Sequence, residues 1–420
     1  MNMTSMNACS KKVVVIGGGA AGMMAAGRAA ECGAQVTLLE ANERLGKKLL
    51  ITGKGRCNVT NDCPWEDVLK STPTNPRFLY SALSRFTPAD TKAFFENHGC
   101  ALKTERGNRV FPVSDRSADV LAALERYLRE TGVRVRHAKA AEIAVRDGAV
   151  CGVKTAQGPI PAEAVILATG GCSYPLTGST GDGYRMAAAL GHTIAAPVGS
   201  LVPLVERGHD CAAMQGLALK NVTLRLKNGK NKVVFEEFGE LLFTHFGLSG
   251  PIVLSASAHM GRKDEAFTAE LDLKPALDEK TLDERLLCDF EKYANRDFSH
   301  ALDDLLPRSM IPVVVKRSGI APDEKVHSVT KAQRRALLEV LKHFTIEIAC
   351  KAPVEDAIVT SGGVKVREVD PATLESKLVR GLFFAGEILD VDAYTGGFNL
   401  QIAWATGRAA GTAAAQEESE

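Results

Sequence analysis

No apolar run in the 420-residue sequence approaches the roughly 18 residues that a membrane-spanning helix requires. The first twelve residues are polar and lack the apolar segment of a secretory signal. Both absences predict a cytoplasmic protein that has no membrane partner.

Paired cysteines are also missing. The ten cysteines are scattered singly, and none forms a Cys-x-x-Cys pair. This excludes the ligand spacing of a zinc knuckle and the dithiol of a thioredoxin-like protein. We expect reduced thiols, as in cytosolic proteins, and no metal site.

The chain also lacks an excess of one charge. It has 51 Lys and Arg against 50 Asp and Glu, which leaves a net charge of +1. That balance gives no electrostatic reason to expect a nucleic acid or an anionic membrane as partner. The composition, 45% hydrophobic and 24% charged, is ordinary for globular proteins, and the length favours two or three domains.

A glycine-rich motif follows the first apolar stretch. Residues 13–16 predict a buried parallel strand, and the Ala- and Met-rich residues 20–32 predict a helix. The glycines between them fit G-x-G-x-x-G, which permits a tight turn, the approach of a pyrophosphate and close helix packing. The alternative is a glycine-rich turn without a ligand. The motif assigns five residues to the cofactor: Gly17, Gly19, Ala20, Ala21 and Gly22.

An acidic residue ends the next predicted strand, residues 35–40. Glu40 lies 18 residues after Gly22. A carboxylate at this position suits a ribose diol and repels a 2′-phosphate. Glu40 and the adjacent Ala41 therefore favour the adenosine half of NAD or FAD over that of NADP.

Two later segments distinguish FAD from NAD. One apolar strand ends at Thr169 and Gly170, and another, near the C-terminus, ends at Gly386 and Glu387. Together with the first motif they resemble the three FAD signatures of flavoproteins with two dinucleotide-binding domains. In those proteins the terminal acid, usually Asp, holds the ribityl chain, and Glu387 supplies the acceptor here. Taken alone, Thr169 and Gly170 are as typical of a turn without a ligand as they are of an FAD signature.

A glycine pair precedes the last predicted helix, residues 400–415. Gly396 and Gly397 let the backbone pass close to a flat ligand, and N–H groups at the helix start would stabilise negative charge on the pyrimidine side of a reduced flavin. The alternative is a glycine hinge that only caps the helix. The residues assigned to the flavin here are Gly397, Phe398, Asn399, Leu400 and Gln401.

The long connection of residues 42–75 combines glycines, basic residues and side-chain amides. This composition suits a phosphate and the edge of a flavin ring. Because Cys57 has no partner cysteine, a packing role is expected for its thiol. The residues assigned to the cofactor from this segment are Lys47, Lys48, Gly55, Arg56, Cys57 and Asn58.

These motifs carry a specific resemblance, which covers nearly the whole chain. The sequence resembles the BaiN/YhiN-type family of bacterial FAD-dependent oxidoreductases. Lys54, where the family commonly has Gly, and Phe398, where it commonly has Tyr, are departures that should not remove FAD. The resemblance rests on four segments: residues 47–61, 107–112, 240–251 and 385–401.

The resemblance implies an α/β fold in which a Rossmann-like FAD-binding domain is interrupted by a β-barrel-like domain and a small helical domain. The expected bounds are 1–192 and 371–420 for the FAD-binding domain, 193–277 and 346–370 for the barrel-like domain, and 278–345 for the helical domain.

The resemblance also implies an activity. The family includes a reductase of 3-oxo-Δ4,6 bile-acid intermediates, so we expect flavin N5 to deliver a hydride to the enone of a steroid-like small molecule. NAD(P)H is the expected donor, although no second G-x-G-x-x-G occurs between residues 100 and 330. Two alternatives stay open. One is an amine or α-amino-ketone oxidase that uses dioxygen. The other is a non-catalytic flavoprotein sensor or a nucleic-acid-associated flavoprotein, which the basic residues 220–232 keep open.

The proton donor has several candidates. His245, Tyr394 and Arg56 are the expected catalytic residues, with Tyr174 as a further donor and Arg109 as a further anion anchor. His245 follows an apolar strand and could protonate a substrate carbon. The alternatives are a structural hydrogen bond for His245 and a surface salt bridge for Arg109.

Overall fold

The computed structural model describes residues 10–261 and 265–416. The chain divides into two compact units. One consists of the residues up to 200 together with those from 354 onward, and the other of residues 201–353. The three-domain division expected from the sequence remains a prediction.

The described residues form the strands and α-helices that follow. The strands are β1 (Lys12–Ile16), β2 (Gln35–Glu40), β3 (Thr60–Asn61), β4 (Leu102–Glu105), β5 (Arg109–Pro112), β6 (Arg134–His137), β7 (Ala140–Arg146), β8 (Ala149–Thr155), β9 (Gly158–Pro161), β10 (Ala164–Leu167), β11 (Ile194–Ser200), β12 (Leu204–Glu206), β13 (Ala218–Asn228), β14 (Val233–Phe243), β15 (Gly247–Ser249), β16 (Phe267–Asp272), β17 (Phe344–Lys351), β18 (Val359–Val364) and β19 (Leu382–Phe384). The α-helices are α1 (Ala20–Glu31), α2 (Lys47–Ile51), α3 (Trp65–Lys70), α4 (Tyr80–Arg85), α5 (Pro88–Asn97), α6 (Ser117–Glu130), α7 (Asp182–Ala189), α8 (Asp210–Ala213), α9 (Pro251–Ser257), α10 (Glu279–Lys292), α11 (Phe298–Ala301), α12 (Ile311–Ser318), α13 (Lys331–Lys342) and α14 (Phe398–Ala415).

A parallel sheet in the order β19-β10-β1-β2-β6 forms the centre of the first unit. Its middle strands contain apolar runs because both faces are covered, and every residue of β10 is buried. The β1–α1–β2 unit predicted from the sequence is confirmed, with bounds that agree within one residue. The predicted irregular connection 42–75 is corrected, because it contains α2, a 3-10 turn, β3 and α3.

The last helix packs closely on the first. A Cβ on Gly407 would lie 2.5 Å from the carbonyl oxygen of Ala21, and one on Gly411 would lie 2.4 Å from that of Ala25. Only glycine permits this approach of the backbones. Because these two contacts advance together along both helices, α14 runs parallel to α1. The first residues of α14 therefore extend past the start of α1 by about 12 Å at the usual rise of a helix.

Three smaller antiparallel sheets complete the first unit. They have the orders β3-β5-β4, β7-β8-β9 and β11-β18. The pair β11-β18, which the sequence analysis assigned to the barrel-like domain, falls within this unit.

The second unit contains a closed barrel in the strand order β12-β15-β14-β13-β16-β17. Buried and exposed residues alternate along most of β17, as expected of a strand with one face toward a barrel interior. The helices α10 to α13 lie in the same unit. The predicted fold class, a Rossmann-like fold with barrel-like and helical parts, is confirmed. Among the described residues no helix has both the length and the hydropathy to cross a membrane.

His192 is a buried polar side chain of the first unit. Its Nε2 lies 2.8 Å from Ser376 Oγ, and its Nδ1 lies 3.5 Å from a carboxylate oxygen of Glu368. Burial lowers the pKa of His192 below its ordinary value, and the opposing effect of Glu368 is smaller. The folded chain therefore holds this imidazole neutral at pH values where the unfolded chain protonates it.

A pH-dependent stability follows. His192 binds a proton more weakly in the folded chain than in the unfolded chain. The wild-type protein therefore loses folding stability as pH falls below about 6.5. His192→Gln lacks this loss. We expect the stability difference between the two proteins to narrow from pH 7.5 to pH 5.5 in urea unfolding. A stability difference between the two proteins that stays constant with pH would show that His192 does not contribute to the pH dependence.

Candidate functional site

The three segments expected to bind FAD meet at one edge of the parallel sheet. β10 lies between β1 and β19 and pairs in parallel with both. The backbone continues this pairing past the strands, because Ala168 N donates to Ile16 O and Ala385 N donates to Leu167 O. Gly17, Thr169 and Gly386 therefore leave the sheet side by side, which is where open α/β sheets bind ligands.

The glycines of the first motif have different surroundings. Gly17 adopts φ +107°, and a Cβ there would lie 2.4 Å from Ala168 O. A Cβ on Gly22 would lie 1.8 Å from Gly17 O, so Gly22 sets the contact between helix and turn. A Cβ on Gly19 would meet no atom within 4 Å. Open space therefore lies beside Gly19, at the start of α1, where backbone N–H groups can bind an anion.

Glu40 closes the turn after β2. The side chain is 8% exposed, and its carboxylate accepts from Gly18 N at 2.8 Å and from both the backbone N and Nδ2 of Asn42 at 2.7 Å. Ala41 beside it is exposed. Glu40 thus stands next to the glycine turn, as expected of a residue that holds a ribose.

Glu387 lies in a polar network. One carboxylate oxygen accepts from Lys48 Nζ at 2.7 Å, and the other accepts from Ser173 Oγ at 3.1 Å and from Thr360 N at 2.8 Å. Lys48 Nζ also donates to Ser173 Oγ at 2.7 Å. Sequence reasoning identified Lys48 and Glu387 separately and missed Ser173 and Thr360, which no local pattern marks.

The segment after α2 carries unusual backbone angles. Gly53, Lys54 and Cys57 all have φ between +57° and +59°, and Gly55 has φ +83°. Left-handed angles at Lys54 and Cys57 are costly for side chains with a Cβ, and such residues concentrate at functional sites. Lys47, Lys54 and Gly55 are exposed here, whereas Cys57 is fully buried.

Arg56 is held by the protein itself. Its guanidinium contacts Glu105 Oε1 at 2.5 Å and Asp115 Oδ1 at 2.6 Å and lies 4.1 Å from the centroid of the Phe111 ring. The hydrogen bond from Arg56 lowers the pKa of Glu105, and those from Lys103 and then Arg56 lower the pKa of Asp115. The two carboxylates in turn raise the pKa of Arg56. The anion-anchoring role expected for Arg56 would require it to leave these partners.

The start of α14 has no side-chain cap among the described residues. The helix begins after Gly397, at φ +100°. Asn399 folds back on the preceding loop, because its Oδ1 accepts from Ala393 N and its Nδ2 donates to Ala393 O. Phe398 and Leu400 are half-buried. Gln401 is fully buried and hydrogen bonded within the protein, so its side chain faces inward.

The catalytic candidates lie in different places. Tyr394 belongs to the loop before α14, where its backbone N donates to Ser71 O at 2.9 Å. His245 is exposed in the second unit, between β14 and β15. Tyr174 follows β10 and is partly exposed with φ +53°, and Arg109 is exposed on β5. Among the described residues no group of three His, Cys, Asp or Glu side chains could hold a metal ion.

The comparison with known proteins decides the family. The model of the HI0933-like protein Rossmann domain matches residues 11–413. The chain belongs to the HI0933-like family. The BaiN/YhiN-type resemblance seen in the sequence is thereby confirmed.

Two relatives of this HI0933-like protein match over almost their whole length. A 3-dehydro-bile acid delta(4,6)-reductase from Clostridium scindens is 34% identical over 411 residues, which cover 96% of this chain and 99% of that protein. A ribosomal RNA dihydrouridine synthase from Haemophilus influenzae is 29% identical over 405 residues, 94% of this chain and 96% of that one.

A solved structure shares the fold. The 3-ketosteroid delta1-dehydrogenase from Sterolibacterium denitrificans, in complex with 1,4-androstadiene-3,17-dione, matches with a TM-score of 0.50 and 14% identity. The match covers 97% of this chain and 100% of that one. Family and fold together identify the chain as an FAD-dependent oxidoreductase.

The residues at the sheet edge fit FAD. The open space beside Gly19 suits a pyrophosphate, and the start of α14, about 12 Å beyond the start of α1, suits the ring at the other end of the molecule. Two buried oxygens in the expected FAD segments, Asn58 Oδ1 and Thr169 Oγ1, have no hydrogen-bond partner within the described residues. Buried oxygens without partners are rare, and a bound ligand would satisfy them.

The thiol of Cys57 is expected to be unreactive in the folded protein. Burial raises the pKa of its thiol to about 12, so almost no thiolate exists at neutral pH. With iodoacetamide at pH 8, we expect the exposed Cys32, Cys151, Cys288 and Cys350 to be alkylated and Cys57 to remain unmodified by mass spectrometry. In urea Cys57 should react like the others. Fast labelling in the folded protein would contradict its burial.

Proposed function

We propose that this protein reduces a carbon–carbon double bond conjugated to a carbonyl group. FAD, when bound, supplies the hydride. The hydride adds to the β-carbon and a proton to the α-carbon, while NADH or NADPH is oxidised as the donor. The observation that carries the proposal is the match over nearly the whole length of both chains to a delta(4,6)-reductase.

The residues expected from the sequence keep their roles in this proposal. Gly19 and the start of α1 receive the pyrophosphate, and Glu40 binds the adenosine ribose. Glu387, held by Lys48, accepts from the ribityl hydroxyls. The uncapped start of α14 faces the pyrimidine edge, where its N–H groups stabilise negative charge.

The proton for the α-carbon has two remaining candidates. Tyr394 is favoured because its backbone is held on both sides and it lies just before Gly396 and Gly397. Its N donates to Ser71 O, and its O accepts from Asn399 Nδ2. His245 in the second unit remains the other candidate. Arg56 is disfavoured because it is engaged by two carboxylates.

Two substrate classes meet the chemical requirement. A steroid enone is favoured by the relative with the higher identity. The uracil ring of a ribosomal RNA is the second, because its C5=C6 bond is conjugated to a carbonyl and the other relative is named for forming dihydrouridine. A cytoplasmic location, where NADH and NADPH are available, belongs to the same proposal.

The test uses the two half-reactions of the purified, FAD-loaded protein without oxygen. NADH or NADPH should bleach the visible flavin bands. A 3-oxo-Δ4 steroid or a uridine-containing RNA should then restore them, and mass spectrometry should find a product heavier by two hydrogens. Bands that bleach only with an amine and return only with air would replace the proposal by the amine oxidase. A flavin that responds to none of these would favour a non-catalytic role.

A further inference from the structure

The basic residues of the first unit are unevenly distributed. Residues 42–62 and 99–116 together contain nine Lys and Arg but four Asp and Glu, whereas the whole chain has 51 and 50. The expectation that no nucleic acid binds rested on the balance of the whole chain. That balance hides a local excess of positive charge.

The two segments form one surface. β5 pairs with β3 on one side and with β4 on the other, which joins the segments in one sheet. The turn after α2 also reaches this sheet, because a Cβ on Gly53 would lie 3.4 Å from the Phe111 ring. The turn after α2 and the β4–β5 hairpin are therefore neighbours in space.

Some of these cations are neutralised and others are not. Arg56 and Lys103 share the carboxylates of Glu105 and Asp115. Within the described part of these two segments, five exposed cations lack a carboxylate partner: Arg44, Lys47, Lys54, Arg106 and Arg109. The three that lie in the turn after α2 and in the β4–β5 hairpin are called the hairpin surface: Lys54, Arg106 and Arg109.

Contacts keep the hairpin surface together. Arg109 Nε donates to Arg106 O at 3.0 Å, and its guanidinium lies 5.9 Å from the centroid of the Phe111 ring. Arg56 lies over the same ring at 4.1 Å. Phe111 thus aligns two guanidinium groups while leaving that of Arg109 free to bind an anion.

The hairpin surface is tied to the candidate flavin site. Asn61, 5% exposed, donates from Nδ2 to Gly107 O at 3.1 Å and to Gly396 O at 3.0 Å. Gly107 is at the tip of the β4–β5 hairpin, and Gly396 belongs to the turn before α14. A polyanion on the hairpin surface would therefore lie beside the proposed position of the flavin ring.

We propose that the hairpin surface binds the phosphate backbone of an RNA and so presents a uracil base to the site. This inference rests on the second substrate class of the proposed function. Arginine suits this task because its planar group contacts two phosphate oxygens at once. A steroid has no phosphate groups that the three separated cations of the hairpin surface could bind.

The experiment measures binding by fluorescence anisotropy of a labelled RNA stem–loop with uridines in its loop, using the FAD-loaded full chain at several salt concentrations. R106A/R109A should bind at least 10-fold more weakly than wild type. Loss of two phosphate contacts should also reduce the slope of log Kd against log salt by about 1.4. The control R134A/R146A removes two exposed arginines from β6 and β7 and should bind like wild type.

Equal binding by R106A/R109A and wild type would overturn the inference, as would an equal loss in R134A/R146A. A wild type that does not bind this RNA at low salt would also overturn it, even if the protein reduces a steroid enone. Conversely, RNA binding that depends on Arg106 and Arg109 in a protein that reduces neither substrate would keep the surface and reject the proposed function.

Discussion

Gly19→Val should leave the chain folded and remove its affinity for FAD. A Cβ at this position meets no atom of the protein within 4 Å, and the backbone angles, φ −84° and ψ −169°, suit any residue. The added side chain would instead occupy the space through which a pyrophosphate reaches the N–H groups of α1. We expect at least a 100-fold loss of affinity, about 2.8 kcal/mol, in titrations of the apoprotein followed by flavin fluorescence.

Two further glycines serve as controls for this result. Gly22→Ala places a Cβ 1.8 Å from Gly17 O, so it should destabilise the fold itself, by roughly 1 to 3 kcal/mol or more. Gly261→Ala meets no atom within 4 Å and lies far from the motif in sequence, so it should change neither stability nor affinity. FAD binding by Gly19→Val at the wild-type affinity would place the pyrophosphate elsewhere.

The reliable part of the sequence reasoning concerned elements with strong local signals. α6 spans Ser117–Glu130, and the sequence alone predicts a helix there, because its apolar residues recur at the helical period over four turns. β2 was predicted at 35–40 with equal success, since apolar residues fill it and it follows a glycine. The three segments expected to bind FAD follow strands that end at one edge of the sheet, because those strands are adjacent and parallel.

Short elements and distant contacts could not be predicted in this way. β3 has two residues and α2 has five, which is too few for a period to show. Ser173 is 214 residues from Glu387 in sequence, and only the folded chain joins them in one network. The side-chain partners of Arg56 depend on the register of β4 with β5, which the sequence does not reveal.

Gln401 shows that a residue of a predicted cofactor segment can have a structural role. It was assigned to the flavin because it lies at the start of the last helix. Its Oε1 accepts from Thr60 Oγ1 at 2.7 Å and from Thr91 Oγ1 at 2.8 Å, while its Nε2 donates to Phe86 O at 2.9 Å. One side chain thus connects α14 to β3, α5 and the end of α4. We infer that it positions α14, the helix whose first turn is proposed to face the flavin.

Gln401→Leu should therefore destabilise the protein strongly. Leucine fills similar space but leaves two buried hydroxyl groups and one carbonyl without partners, at about 1 to 3 kcal/mol each. We expect a loss of roughly 3 kcal/mol or more in urea unfolding of the apoprotein. The control Thr91→Val removes one hydroxyl and leaves Gln401 bonded to Thr60 and Phe86, so it should cost about 1 kcal/mol.

The two possible roles of Gln401 then separate by measurement. If its side chain only positions α14, the Gln401→Leu protein that remains folded at low temperature should bind FAD within about 10-fold of the wild-type affinity, since the N–H groups of the first turn come from the backbone. If the amide contacts the flavin, affinity should fall much further than stability alone explains. Thr91→Val separates these two roles of Gln401. It removes one hydrogen bond of the same network and leaves the Gln401 amide unchanged.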